Sequence, residues 1–535
     1  MSGTTANQMS LVYTALSMAV VTLILLWRQR MARITTTGRL PPGPPGWPVV
    51  GNLFDLGTMP HQKLANHKHK YGPLIWLRLG SLDTLVVSSV EATMEMFKNH
   101  DHSFCNRYIN EAMKIRDTYK STISLGDYGS YWRMLRRLCA SELFSRKSIN
   151  GTAPLRRKCV DKMLEWITNE AKETGSGGGV EVARYVYATC FNVMGSIVFS
   201  RDDLVDPDST VGNDFFNFNA ELTELAVKPN SADFFPSLRW LDPQGLKKRI
   251  GEKQAQILQI IGSFIEERRC VTKDMDRNIE LAHNTKTEKK KTDFLDVLME
   301  FEGNGKDGPT KISDANLTVF ILELFMGATE TTSTTIEWAM TELLRNPETM
   351  KKAKAEISQV IGHDRKLEEN DIKDLPYLNA VIKEALRLHP AAPLLAPRIA
   401  VTDTELMGYR IPKDTMVLVN IWGMGRDPSV WGADHLLFKP ERFLSSNLDY
   451  RGQNFEFIPF GAGRRICPGI SMTQQMLPLA LGSLVQSFEW VLENGITPDT
   501  VDLGERMGIT LRKAIPLKAV PRLVTPRKGF AVASV

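Results

Sequence analysis

The sequence predicts one large, mainly α-helical domain with small β-sheets, preceded by a single N-terminal transmembrane helix. Three observations predict it. Residues 1–27 carry no charged side chain, residues 74–87 read as two short strands split by a turn, and most of the remainder has helical spacing. With 535 residues, 24% charged and 43% hydrophobic, the composition excludes wholesale disorder and collagen-like order and supplies a sizeable core. A net charge of +5, from 66 basic and 61 acidic residues, is too balanced for nucleic acid to be the main partner. Six cysteines (Cys105, Cys139, Cys159, Cys190, Cys270, Cys467) are scattered with no CxxC pair. That argues against a disulfide scaffold and a structural zinc site, and points to a reducing compartment.

The membrane helix is predicted over about Met9–Trp27. These residues span roughly 28 Å as a helix, the thickness of a thin bilayer core. Arg28, Arg30 and Arg33 follow the apolar run, whereas a cleavable signal peptide carries its positive charge before it. Positive charge stays cytosolic, so residues 1–33 read as a signal anchor with a lumenal N-terminus, a single pass through the endoplasmic reticulum membrane, and the rest of the chain in the cytosol. Residues 34–51 contain Leu40-Pro41-Pro42-Gly43-Pro44-Pro45-Gly46-Trp47-Pro48. Proline fixes φ and removes a donor, so this is a stiff, extended hinge that holds the domain off the membrane. Its PxxP spacing alone would also suit a recognition-domain ligand, but its position directly after an anchor favours the hinge.

Residues 52–535 are then one cytosolic domain. Leu74–Val87 (LIWLRLGSLDTLVV) is a hairpin split around Gly80-Ser81-Leu82-Asp83. Residues 311–345 open on a Ser313 or Asp314 cap and run without proline to Pro347, a long helix for a globular domain. Glu173–Gly179 and Asn284–Lys291 are low-complexity surface loops, and there is no internal repeat.

The strongest chemical signal is Phe460-Gly461-Ala462-Gly463-Arg464-Arg465-Ile466-Cys467-Pro468-Gly469. A cysteine in a glycine-rich turn lets backbone approach a flat cofactor closely and aims amides at the sulfur. Neighbouring positive charge and amide donors favour the thiolate, the form that binds metal. A lone thiolate without companion Cys or His spacing suits neither zinc nor an iron–sulfur cluster, but suits the single axial ligand of haem. The other five cysteines read as buried free thiols.

On these residues the chain closely resembles the cytochrome P450 family. Phe460, Gly463, Arg465, Cys467 and Gly469 match its FxxGxRxCxG haem-ligand pattern. Glu384-Ala385-Leu386-Arg387 matches ExxR, whose i, i+3 spacing puts both charges on one helix face. Phe438–Phe443 matches the PERF segment, and the resemblance implies that Arg442 joins Glu384 and Arg387 in a buried ion network, a folding and register device more than an energetic gain. Trp132-Arg133-Met134-Leu135-Arg136 matches WxxxR. The resemblance, over residues 10 to 525, implies Cys467 as the haem b axial ligand, with Trp132, Arg136, Arg465 and Arg398 toward the propionates.

Within the long helix sits Gly327-Ala328-Thr329-Glu330-Thr331-Thr332. A mid-helix glycine costs about 1 kcal/mol, so it usually means that something passes close by. An acid followed by a hydroxyl can relay protons to bound oxygen. In the family pattern [AG]-G-x-[DE]-T, Glu330 and Thr331 map onto the acid and the threonine, and Ala328 replaces the usual second glycine. That added methyl either tightens the oxygen groove or reshapes substrate approach.

The resemblance implies a monooxygenase that uses O2 and takes electrons from NADPH through a membrane-bound flavoprotein reductase. That partner would dock on a basic surface, with Arg133, Arg137, Arg464 and Lys351, Lys352 and Lys354 as candidates; for the lysines a merely solvated helix face is nearly as good a reading. By family analogy Met326, Ala328, Leu394, Leu395 and Ile509 form an apolar chamber that suits a small hydrophobic, isoprenoid-like substrate. The phrases LPPGPPGWPVVGNLFDLG and TTIEWAMTELLRNPE place the likeness nearest the plant geraniol hydroxylases and iridoid oxidases. A monoterpenoid or iridoid substrate follows, hydroxylated once or carried on to aldehyde or acid, with phenolic or flavonoid oxidation as runner-up. An oxygen-independent haem isomerase and a non-catalytic haem sensor are the readings from other classes. Neither has an obvious use for the Glu330–Thr331 pair.

Overall fold

The computed structural model describes residues 39–523 except 176–177, 208–213, 282–292, 304, 306–308, 363–364 and 494, together with Met18 and Thr22. Apart from those last two residues, the predicted anchor helix lies outside the described residues, as do the low-complexity stretch 284–291 and residues 176–177.

The split run at 74–87 is an antiparallel hairpin of β1 (Leu74–Leu79) and β2 (Leu82–Val87), registered from Leu74↔Val87 to Leu79↔Leu82. Its turn needs Gly80 at φ 62°, where an added Cβ would also lie 2.5 Å from the Phe234 carbonyl. β3 (Asn106–Arg107), β4 (Arg398–Ile399) and β5 (Met416–Val419) complete a mixed sheet in the order β1-β2-β5-β4-β3. The proline-rich segment is extended, as proline dictates, but it is not a free spacer. Trp76 N–H donates to the Pro42 carbonyl (2.9 Å), and Gly43 lies so close to β1 that a Cβ there would collide with the Trp76 carbonyl oxygen. From Pro42 onward it is docked on the edge of this sheet.

The helical body consists chiefly of α1 (Ser130–Leu138), α2 (Ala153–Thr174), α3 (Val182–Phe199), α4 (Asp214–Ala226), α5 (Leu246–Leu281), α6 (Asp314–Arg345), α7 (Pro347–Ile361), α8 (Pro376–Leu388) and α9 (Ile470–Ser487). A final hairpin, β6 (Glu505–Met507) and β7 (Leu511–Lys513), docks on α6. Among the described residues α3 alone is long and apolar enough to cross a membrane, and it is buried in the core.

α6 organises the interior, packing along α3, α5, α8 and α9. Ser313 caps it by accepting from Asn316 N–H, and Pro347 ends it. Threonine is an awkward choice for a buried helix, because an unpaired hydroxyl costs free energy there. Thr318, Thr329, Thr331, Thr335 and Thr341 each avoid that by donating to the carbonyl four residues back.

Candidate active site

Cys467 sits where a loop folds back into α9. Its N–H donates to the Phe460 carbonyl (3.0 Å), and Gly461 and Gly463 occupy positive φ (74° and 67°) to make the reversal. A side chain at Gly463 would also strike Asp101, with its Cβ 2.4 Å from Oδ1. Gly469 leaves its amide free to reach the sulfur, and Phe460 stacks obliquely on Tyr450. Burial pushes the Cys467 thiol above its ordinary range, against the Gly469 amide and Arg136, which pull it down. The Gly469 amide and Arg136 are the amide donor and the positive charge expected beside this sulfur, and both favour its thiolate form.

Arginines gather beside this loop. Arg107 and Arg398 are directly opposite in the β3–β4 ladder, a like-charged cross-strand pair that is unfavourable unless an anion lies between them. Arg465 completes the cluster, with its guanidinium 4.5 Å over the Trp132 ring. Burial first, then mutual repulsion, holds Arg107 well below its usual range, and the same causes bring Arg465 down to about 10. Asp101 is the anion within the cluster, accepting from Arg398 Nη1 (3.3 Å), Arg464 N (3.0 Å) and Arg464 Nη1 (2.8 Å). Arg465 donates to the carbonyls of Cys105, Ile123 and Gly126. Arg398 donates also to those of Phe104 and Ala462. With five N–H donors per guanidinium, both retain donors for a further anion. Trp132 Nε1 donates to the Ile123 carbonyl (2.9 Å), whereas Arg136, one turn along α1, lies within electrostatic reach of Cys467 and Cys139.

α6 presents the third component. Between Leu317 and Leu344 every residue is buried except Glu323, Met326, Gly327, Ala328 and Thr331; Glu323, Gly327 and Thr331 share one face at i, i+4 spacing, with Met326 and Ala328 on its two flanks. A Cβ at Gly327 would meet nothing within 4 Å. The glycine therefore fronts a hollow, with no protein group passing close. Glu323 closes one end of this face by accepting from the amides of Ile123 (2.7 Å) and Ser124 (2.5 Å). Thr331 and Glu330, consecutive in sequence, point differently. Thr331 Oγ1 donates to the Gly327 carbonyl on the open face, while Glu330 is buried and accepts from Thr510 Oγ1 and Arg512 Nε on β7 and the turn before it.

Among the apolar positions, Met326 and Ala328 flank Gly327, and Leu394 is buried against the sheet. Leu395 is held at φ 52°, and Ile509 stands 39% exposed at the β6–β7 turn. The remaining motif residues form a separate ionic core. Arg387 Nε and Nη2 both contact the Glu384 carboxylate at 2.7 Å, and Arg442 Nε reaches Oε1 at 3.0 Å.

The basic surface is smaller than the sequence suggested. Lys351, Lys352 and Lys354 pair with Glu348, Glu441 and Glu489, and Arg464 pairs with Asp101. Arg133 and Arg137 remain on an open basin lined also by Ser130, Trp132, Arg136 and Ala140.

The cytochrome P450 family model matches residues 41–518. The chain belongs to the cytochrome P450 family. It is 44% identical over 527 residues to an iridoid oxidase of Catharanthus roseus, covering 98% of this chain and 99% of that one. To a geraniol 8-hydroxylase of the same plant it is 40% identical over 485 residues, 91% and 94% of the two chains. A zebra fish cytochrome P450 solved with progesterone superposes with TM-score 0.70 at 26% identity, covering 86% and 99%. The chain is thus a P450 monooxygenase that uses haem iron, O2 and electrons delivered from NADPH by a reductase. Its residues fit that cofactor: Cys467 offers one sulfur, Arg107, Arg398 and Arg465 hold more positive charge than Asp101 neutralises, and Gly327 fronts open space.

Sequence reasoning missed Asp101, Arg107, Glu323, Thr510 and Arg512. Asp101 and Arg512 carry no local signal. Arg107 lies within Phe104–Ile123 and Thr510 within Met507–Thr510, segments that analogy with the family sets along the pocket, and Glu323 shares the i, i+4 spacing of Gly327 and Thr331.

Proposed function

We propose that this P450 is anchored by residues 9–27 in the endoplasmic reticulum membrane, with residues 52–535 in the cytosol, and oxidises a monoterpenoid or iridoid. The observation that carries the substrate class is 44% identity to an iridoid oxidase across 98% of the chain. The half-buried apolar side chains of Met326 and Ala328 beside Gly327 support it, because such surfaces prefer a small hydrophobic ligand.

In this reading Cys467 ligates the iron, and Arg107, Arg398, Arg465 and Trp132 seat the propionates. Arg136, which the family pattern also turns toward a propionate, lies within electrostatic reach of the Cys467 sulfur, where its charge favours the thiolate. Bound there, the thiolate-ligated haem supplies oxygen activation and hydrogen abstraction from the substrate. The chain's own task is to place the substrate and move protons. Gly327 leaves open space for the cofactor and substrate, Met326 and Ala328 flank that space on either side, and the Thr331 hydroxyl faces it. Glu330 holds the proton supply one residue away. Glu384, Arg387 and Arg442 fix the fold as a buried ion cluster, and Arg133 and Arg137 receive an acidic reductase surface.

The test is the carbon monoxide difference spectrum of reduced microsomes holding the chain or Cys467→Ser, followed by NADPH-dependent turnover. The wild type should show a red-shifted Soret band that the variant lacks, and should oxidise monoterpenoid alcohols or iridoid aldehydes in preference to flavonoids. A folded, haem-containing wild type without that band would overturn the role of Cys467, and preference for flavonoids would overturn the substrate class. Thr331→Ala should lower product formed per NADPH; an unchanged yield would overturn the role of that hydroxyl.

A further inference from the structure

Behind the open face of α6 lies a polar cluster that the motifs do not account for. Glu330 is 2% exposed, yet only one of its oxygens is engaged. Oε1 accepts from Thr510 Oγ1 (2.5 Å) and Arg512 Nε (2.5 Å), while Oε2 is buried with no hydrogen-bond partner. From α3, the Tyr187 hydroxyl hydrogen-bonds Thr329, the residue before Glu330, and accepts from Asn219 Nδ2 of α4 (3.1 Å). Burial pushes the Tyr187 phenol upward, and it feels the charges of both Glu330 and Arg512. Asn219 is fully buried, and its Oδ1 also lacks a partner.

A buried acceptor left bare costs about 1–3 kcal/mol, and native interiors satisfy such groups with ordered water. Here the two residues with bare oxygens are linked through Tyr187, which contacts Asn219 directly and Glu330 by way of Thr329 and its charge. The Arg512 side chain, 29% exposed, connects this cluster to solvent. We infer that this seam holds ordered water and is the route by which protons reach Glu330, entering beside Arg512 and passing Tyr187 and Asn219 instead of crossing the substrate hollow.

The inference rests on the monooxygenase reading, in which splitting O2 with one oxygen atom leaving as water consumes protons. An apolar substrate seated against Met326 and Ala328 displaces water from the open face, so resupply must come from behind. With Oε1 held by two donors, Oε2 is the oxygen left to exchange a proton with water. Glu330 then serves the adjacent Thr331 hydroxyl. Tyr187 and Asn219 act as positioning residues, because they hold the water and never touch substrate.

The test uses the full-length haem-loaded chain with its reductase, comparing the wild type with Tyr187→Phe and Asn219→Leu. Tyr187→Phe keeps the packed ring and removes only the hydroxyl, so it remains informative if Asn219→Leu fails to fold. We expect a crystal structure of the wild type to show water on Glu330 Oε2 and Asn219 Oδ1. In Tyr187→Phe, hydrogen peroxide released per NADPH should rise several-fold and the solvent deuterium isotope effect on product formation should change, at unaltered haem content, carbon monoxide spectrum and KM. Two dry oxygens, or peroxide yield and isotope effect equal to wild type, would overturn the seam. A wild type with no NADPH-dependent product would instead overturn the monooxygenase reading, and this inference with it.

Discussion

Removing the charge of Glu384 should be among the costliest single changes in the domain. The side chain is fully buried, and its carboxylate accepts four hydrogen bonds, from Arg387 Nε and Nη2, Arg442 Nε and the Lys439 amide. Gln keeps the shape but turns an N–H₂ toward donors and leaves the buried Arg387 guanidinium without its counter-ion. Breaking a buried pair in this way costs about 3–5 kcal/mol, against a total stability of about 5–15 kcal/mol. Exchanging both partners for apolar side chains is often neutral in other proteins, but should not be here. Arg387 also donates to the carbonyls of Gly425 (2.5 Å), His435 (2.7 Å) and Leu437 (3.1 Å). Glu384→Leu/Arg387→Met would strip all three, at about 1 kcal/mol or more each. Urea unfolding of the detergent-solubilised protein, followed by proteolysis and by loss of the haem band, measures both variants. A Glu384→Gln protein within about 1 kcal/mol of wild type, or a double variant as stable as wild type, would refute the reasoning.

Three further outcomes follow from other buried or paired charges. Burial pushes the Glu337 carboxyl up to about 7, so the folded chain retains a proton that the unfolded chain has released. Stability tied to this group is full at low pH and lost as pH rises through about 7, on the order of 3 kcal/mol in all, and Glu337→Gln should abolish that dependence in melts between about pH 5 and about pH 8. Glu323→Gln can no longer accept from both Ile123 and Ser124, so amide hydrogen exchange across 118–126 should quicken roughly 5- to 100-fold; unchanged exchange would show that the carboxylate does not pin this loop. Because Lys352 is already paired with Glu441, whereas no acidic side chain among the described residues lies within ion-pair distance of Arg137, Arg137→Glu should slow reduction by the reductase at low salt and Lys352→Glu should not; equal effects would place docking elsewhere.

Much of this was legible in the chain. The Ser313 cap, the hairpin at 74–87, the i, i+3 spacing of Glu384 and Arg387, and the glycine turn around Cys467 are local patterns, set by periods and φ preferences that a sequence displays directly. Two readings changed for one shared reason. The proline segment is docked because Gly43 fits against β1, and Lys352 and Lys354 of α7 are paired with glutamates from other elements. Each depends on what packs against the residue, and that is not local.

Local sequence was enough to reveal the family, a candidate thiol ligand and a candidate acid–hydroxyl pair, since each motif lies within about ten consecutive residues. Only the tertiary structure decided how those groups are used. Glu330 meets Arg512 across 182 positions, Arg107 faces Arg398 across a two-residue ladder, and Asp101 reaches Arg464 across 363 positions. A side chain's type fixes what chemistry it offers. Its charge partner, its water and the direction of its proton are fixed by elements brought beside it through burial of apolar surface, a force without direction that no local pattern spells out.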